Sequence, residues 1–419
     1  MLLLSLWLLI SMDSWVLWLL LFVASALVLW RQVLSTHDLG YAFQIMLLVF
    51  LALAVVFLIF PSPLFSPGAP EIVPGWRASW IVAQGTLSEE GWLLGSGPGT
   101  YLYDYGRYHP VDINATVLWD VRFDRSTNYI LTLLPTVGIL GMLAFGGFIT
   151  LIGCRIVRVF VRRKKNEQAF DYVVAWLVLF ISSFLYHWNI TLVSLFVLLS
   201  LVTVWMTSEP PPRGFSCPPH SAKRVWCQLG LVGLLIAVTS TVFVVGGRLY
   251  SEVLFLRAVA AQASGEPIDQ IIQKLDRAAG VNGINDMIFR NLAQALLLKV
   301  GEVTTSLDSD RSPSDQAVLI QSLVSASVNA AKRATDIAPY NVLNWRVRGA
   351  IYREVLPFVN RAADFAVLSY ERAIFIEPNN PINHVGLARV QLTRAEAEEA
   401  MAASSDASMQ NNSAARVQE

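Results

Sequence analysis

The distribution of apolar and polar positions divides the chain at about residue 250. Before it, long apolar runs alternate with short polar breaks, and after it apolar residues recur at helical spacing among ordinary charged ones. A helix needs roughly 20 apolar residues to cross the hydrocarbon. Runs of that kind predict spans at Trp15–Trp30, Tyr41–Phe60, Ile130–Cys154 and Val225–Gly246. Tyr172–Met206 is about twice one span and is interrupted by "YHWN" (Tyr186–Asn189), which predicts two short helices joined by a tight turn. Met1–Ser11 is apolar but only about half a span, and Asp13 and Ser14 break it. It reads as a secretory signal lacking a basic start, or as a chain that begins inside a membrane domain.

The fold class expected is therefore all-α, a polytopic transmembrane domain followed by a helical solenoid. The expected divisions are helices in 1–60, a large loop in 61–128, helices with basic loops in 129–247, helical repeats in 248–395 and a tail in 396–419. That tail starts helical and turns low in complexity. Basic residues set the expected orientation. "RIVRVFVRRKK" carries five basic charges in its last eight positions and "SEPPPRGFSCPPHSAKR" adds three. Both are expected to be cytoplasmic, which places the 61–128 loop and everything after Gly247 outside a cytoplasmic (inner) membrane.

Composition agrees with a bilayer as partner: 54% of residues are apolar and 15% charged. A formal net charge of zero argues against nucleic acid as a partner, since binding phosphates needs a basic surplus. Cys154, Cys217 and Cys227 form neither a disulfide framework nor a metal-type spacing. No metal and no cofactor is expected.

The C-terminal half repeats. Ala334 and Pro339 stand in the same relation as Ala373 and Pro378, and Trp345, Gly349 and Tyr352 keep the spacing of a first helix. Ala366, Tyr370 and Ala373 keep that of a second, and Ile271–Leu297 is a weaker copy with Gly283 in the proline position. This resembles the roughly 34-residue tetratricopeptide pattern with about five extra residues near Pro357. The resemblance implies a concave face that takes a peptide or neighbouring protein; the alternative is a spacer packed on the membrane domain.

Candidate chemistry lies in the 61–128 loop. It opens with Pro61, Pro63, Pro67, Pro70 and Pro74, and "WRASWIVAQGTL" then predicts a helix carrying Arg77 along the membrane face. "GSGPGT", with Gly95, Gly97 and Gly99, lacks the Lys-Ser/Thr of a phosphate-binding loop and reads as a tight turn. The aromatic residues around it suit an interfacial belt, a sugar-stacking surface, or both. The loop's basic side chains are all arginine: Arg77, Arg107, Arg122 and Arg125. Guanidinium forks pair bidentately with phosphate oxygens, so these four could hold a diphosphate. They could equally pair with Glu89, Glu90, Asp104, Asp120 and Asp124, or with lipid headgroups.

An arginine–tryptophan helix, then "WLLGSGPGTY", a polar loop and "TNYILTLLPTVGILG" resembles the O-antigen ligase and polymerase superfamily across roughly Ser11–Met206. That family's pattern is His, then Asn, Ser or Gln, nine residues, Gly, two residues and Gly, and Asn128, Gly138 and Gly141 match it. Several members also carry C-terminal tetratricopeptide repeats. The family usually has more spans than are found here, which implies that N-terminal spans are missing.

The resemblance implies glycan transfer from an undecaprenyl-diphosphate carrier to an acceptor hydroxyl outside the membrane, without metal, with Arg77 and its companions on the diphosphate. Thr127 stands where the family has its histidine. Another group then acts as base (Asp124, Asp120, His109, or His187 if its turn reaches the loop), or the alignment is looser. The remaining reading is a non-catalytic membrane-anchored scaffold that binds lipid-linked glycan or envelope proteins. The catalytic candidates are Asp124, Thr127, Asn128 and His109.

Overall fold

The computed structural model describes residues 2–12, 14–34, 40–60, 72–161, 167–207, 222–305, 312–359, 361–396 and 398–399. Among them all regular structure is helical, with no strand. The chain divides into two units, Met1–Pro110 with Val121–Ser216, and Val111–Asp120 with Cys217–Glu419. The tip of the 61–128 loop thus belongs to the C-terminal unit, and its flanks to the first.

The first unit contains α1 (Leu2–Met12), α2 (Trp15–Leu34), α3 (Tyr41–Ile59), α4 (Trp76–Glu89), α5 (Tyr101–Tyr108), α6 (Tyr129–Val161), α7 (Glu167–Leu185) and α8 (Ile190–Met206). α2 packs on α3 and α7, with Trp18 stacked on Phe57 at 4.6 Å and Arg31 lying 4.2 Å over the Phe170 ring. α6, α7 and α8 enclose an aromatic core of Trp176, Trp188 and Phe196, where Trp176 Nε1 donates to Ser200 Oγ at 2.9 Å. That bond satisfies an indole N–H that burial would otherwise leave costly. The break expected at "YHWN" falls between α7 and α8, and Asn189 caps α8 by accepting from Leu192 N.

Among the described residues four helices are long and apolar enough to cross a membrane: Trp15–Gln32, Tyr41–Ile59, within α6, and within α9 (Ala222–Ala263). By that measure this is a membrane protein. α7 and α8 carry shorter apolar stretches. Residues 162–166 and 208–221, which hold most of the basic runs, the prolines at 61–70, Cys217 and the 401–419 tail lie outside the described residues.

The expected span Val225–Gly246 does not end at its glycine pair, because α9 continues unbroken to Ala263. Glycine in a helix interior costs about 1 kcal/mol. Here packing outweighs that cost, since Phe255, Ala258 and Ala261 are buried in the C-terminal core.

The second unit stacks α9, α10 (Ile268–Val281), α11 (Asp286–Thr305), α12 (Pro313–Ile337), α13 (Val342–Glu354) and α14 (Ala362–Ile376) in chain order, followed by α15 (381–396). The ends of α10, α12 and α14 share one backbone conformation. Asn282 lies at φ −131°, ψ 79°, Ala338 at −132°, 79° and Glu377 at −129°, 81°. After each, an asparagine oxygen starts the next helix: Asn285 accepts from Met287 N, Asn341 from Leu343 N and Asn380 from Ile382 N. In the last two turns a ring nitrogen also reaches the turn carbonyl, Trp345 Nε1 to Pro339 O and His384 Nε2 to Pro378 O, both 2.8 Å. The Tyr370 ring of α14 lies against Gly349 of α13 on one edge and Gly386 of α15 on the other.

Candidate functional site

Two glycine-containing stretches far apart in sequence form the centre of the loop region. α6 contains Pro135 and a non-helical residue, Gly138, at φ 65°, ψ −170°. Proline removes a helix donor and glycine supplies a conformation nearly closed to other residues, so the helix breaks there. The "WLLGSGPG" turn docks on the break through four backbone bonds. Ser96 N donates to Pro135 O (3.0 Å), Gly97 N to Thr136 O (2.9 Å), Ile139 N to Trp92 O (3.0 Å) and Leu140 N to Leu93 O (3.0 Å). Gly95 and Gly138 sit back to back: a Cβ on Gly138 would lie 2.6 Å from Gly95 N, and one on Gly95 would lie 2.7 Å from Gly138 N. Gly138 therefore serves this clasp, and the space beside Gly141 is filled by the Val137 side chain. Gly97 and Gly99 also have positive φ, 116° and 80°, which makes the segment a turn of the kind glycine permits.

Behind the turn lies Asp104, which by sequence alone is a partner for arginine. It is 4% exposed and accepts from Ser96 Oγ at 2.6 Å. Burial pushes its carboxyl up to about 6, against the opposing pull of the Ser96 hydrogen bond. Burial likewise pushes the neighbouring Tyr101 hydroxyl up to about 12.

A carboxyl with a raised folded pKa holds its proton in the folded state over a range where the unfolded chain has lost it. Stability contributed by Asp104 is thus present below its unfolded value near 3.8 and is lost as pH rises through about 6. Asp104→Asn, which keeps an acceptor for Ser96, is expected to remove that loss. Thermal unfolding of the detergent-solubilised protein from pH 4 to 7 should show a smaller fall for the variant than for the parent. Parallel profiles would refute the raised carboxyl.

Thr127 and Asn128 both serve the entry to α6. Thr127 Oγ1 donates to Pro74 O and lies 2.9 Å from Ser79 Oγ, tying the segment before α6 to that before α4 and to α4 itself. Asn128 is buried and its Oδ1 accepts from Leu131 N at 2.8 Å, a helix N-cap. Asp124 and Arg125 form a bidentate pair, Nε to Oδ1 at 2.9 Å and Nη2 to Oδ2 at 3.1 Å. Arg125, assisted by His187, holds the Asp124 carboxyl below the usual carboxylate range, so Asp124 is ionised and a weak base near neutrality.

The "YHWN" turn reaches this region. Tyr129 N donates to Tyr186 O at 3.1 Å, Trp188 stacks on Tyr129 at 4.7 Å, and His187 is 3% exposed. His109 is also buried, stacked on Tyr105 at 5.5 Å with Nδ1 3.1 Å from Gly106 O.

Arg107 pairs with Glu89 (3.2 Å) and Glu90 (3.3 Å) at the end of α4, and Arg125 with Asp124. Arg77 stands exposed in the first turn of α4, and Arg122 is half-buried just beyond the loop tip. No protein-family model matches the chain, and no curated protein matches it.

Proposed function

We propose that the protein is a membrane glycosyltransferase of the O-antigen ligase and polymerase kind, acting on an undecaprenyl-diphosphate-linked glycan at the outer face of a cytoplasmic membrane. The observation that carries this reading is the clasp between Gly95 and Gly138. It joins the two halves of the sequence pattern, "LLGSGPG" and "NYILTLLPTVGILG", into one piece of structure. A resemblance by chance would give no reason for those glycines to touch.

In the proposed reaction the acceptor hydroxyl oxygen attacks the anomeric carbon. The bond from that carbon to the diphosphate oxygen breaks, the diphosphate leaves on its lipid, and the hydroxyl proton passes to a base. Arg77, exposed in the first turn of α4, and Arg122 are the arginines assigned to the diphosphate. Charge-assisted contacts of this sort stabilise a departing diphosphate without a general acid. His187 is assigned as base in place of the histidine that Thr127 replaces. Its turn is bonded to the head of α6, and imidazole is the side chain suited to proton transfer near neutral pH. The C-terminal unit is read as a tetratricopeptide-like solenoid, supported by the three matching helix ends, and its repeats as a seat for a protein partner.

The test is glycan transfer in membrane vesicles supplied with lipid-linked glycan and acceptor. Arg77→Ala and His187→Ala are each expected to lower transfer about 100-fold or more at parental membrane levels. Undiminished transfer in Arg77→Ala would overturn the diphosphate assignment, and in His187→Ala the base assignment. The second reading, a non-catalytic scaffold binding lipid-linked glycan, is favoured by the engagement of Thr127 with Pro74 and Ser79. It predicts glycan binding by the parent with no transfer.

A further inference from the structure

The matching turns of the C-terminal unit allow its two inter-turn contacts to be compared position by position. Eight residues after the caps Asn282 and Ala338 stand Arg290 and Arg346, and six residues after the caps Ala338 and Glu377 stand Asn344 and Asn383. At the first contact Arg290 Nη1 donates to Asn344 Oδ1 at 2.9 Å and lies 3.7 Å from Asp286. Asp286 Oδ2 in turn accepts from Asn344 Nδ2 at 2.8 Å. The buried amide is satisfied on both sides.

The second contact departs from this. Asn383 is fully buried, and its Nδ2 donates to Ala373 O and Glu377 O, as Asn344 donates to Ala334 O and Ala338 O. Its Oδ1 has no hydrogen-bond partner. The position of Asp286 is taken by Val342. Arg346, the counterpart of Arg290, lies instead 3.7 Å from Asp120, in the loop tip that belongs to this unit. The same tip donates from Asn114 Nδ2 to Asn379 O, in the third turn, at 2.7 Å. Asp120 thus supplies the carboxylate that the first contact carries on its own helix.

We propose that the turn face at Arg346 and Asn379 is a receptor site for the chain's own segment Val111–Asp120, with Arg346 as a two-position switch. With the tip docked, Arg346 pairs with Asp120; with the tip released, it turns to Asn383 Oδ1, as Arg290 turns to Asn344. A buried amide oxygen without a donor is costly. It is tolerated while the guanidinium has a carboxylate, a stronger acceptor than an amide. The released state then recovers the bond the docked state lacks, which keeps the two states close in free energy and the segment exchangeable. The proposal stands whether or not the protein transfers glycan.

Hydrogen exchange of the full chain in detergent tests it, read at the amides of Val111–Asp120. Asp120→Asn is expected to speed their exchange about threefold, the size of a half-exposed ion pair. Asn383→Asp, at a side chain bonded within its own turn, is expected to draw Arg346 away and speed the same amides by about threefold or more. Asn383→Leu removes the competing acceptor and is expected to slow them about twofold. Protection in α13 and α14 monitors folding; if Asn383→Asp loses it, Asn383→Leu decides. Tip exchange that is unchanged in Asp120→Asn, or unchanged in the folded Asn383 variants, would overturn the switch.

Discussion

Gly138→Ala is expected to open the clasp between the "WLLGSGPG" turn and α6, at a cost of roughly 2–6 kcal/mol. Two effects add. The backbone at φ 65°, ψ −170° belongs to a region essentially restricted to glycine, which costs about 1–3 kcal/mol for other residues. The new methyl would also lie 2.6 Å from Gly95 N and from the Leu93 carbonyl carbon, backbone atoms that no side-chain rotation can move aside, adding about 1–3 kcal/mol of overpacking. Hydrogen exchange at Ser96, Gly97, Ile139 and Leu140, the four donors of the clasp, should rise together. Gly146→Ala, eight residues along the same helix with open space around it, should leave these amides protected or improve them slightly through helix propensity. Protection retained in Gly138→Ala would show that the clasp does not exist as described.

Tyr370→Ala is expected to destabilise the C-terminal unit by about 3–5 kcal/mol, the range for removing a buried ring. The ring is 5% exposed, and its two edges abut Gly349 and Gly386, so its loss leaves a gap shared by α13, α14 and α15. Neighbours without side chains cannot fill it. Tyr370→Phe keeps the ring and should remain within about 1 kcal/mol of the parent. Gly349→Ala approaches the same contact from outside: its methyl would lie 2.7 Å from the ring, which Gly386 blocks from retreating. Loss of amide protection throughout α13, α14 and α15 in Tyr370→Ala, with none in Tyr370→Phe, is the expected pattern. Equal protection in all three proteins would dismiss the wedge.

The membrane helices were legible because an apolar run of span length has few other outcomes in water or lipid. The two halves of the 172–206 run and the turn at Tyr186–Asn189 were legible for the same reason. The ends of α12 and α14 were legible, since Pro339 and Pro378 follow them and cannot continue a helix. The tight turn at Gly95–Gly99 followed from the glycines themselves.

Long-range placement was not legible. Gly138 was legible only as a position of the family pattern, and only the structure gives it a partner, Gly95, 43 residues away, because the clasp is made of backbone groups that carry no sequence signal. His187 could be noticed as a polar break, but its proximity to the head of α6 depends on the Tyr129–Tyr186 bond and the Trp188 stack. Which carboxylates Arg107 and Arg125 engage was decided by the fold. In sequence Arg346 is one charged residue of a helix face, and only the structure pairs it with Asp120.

By itself, then, the sequence determined helices, apolar runs of span length and turns, all of which depend on residues within a few positions of one another. The tertiary structure alone decided which glycines touch, which carboxylates Arg107 and Arg125 meet, and where Asp120 and Asn114 are bonded. Those outcomes depend on the burial and desolvation of groups distant along the chain, and no local pattern encodes them.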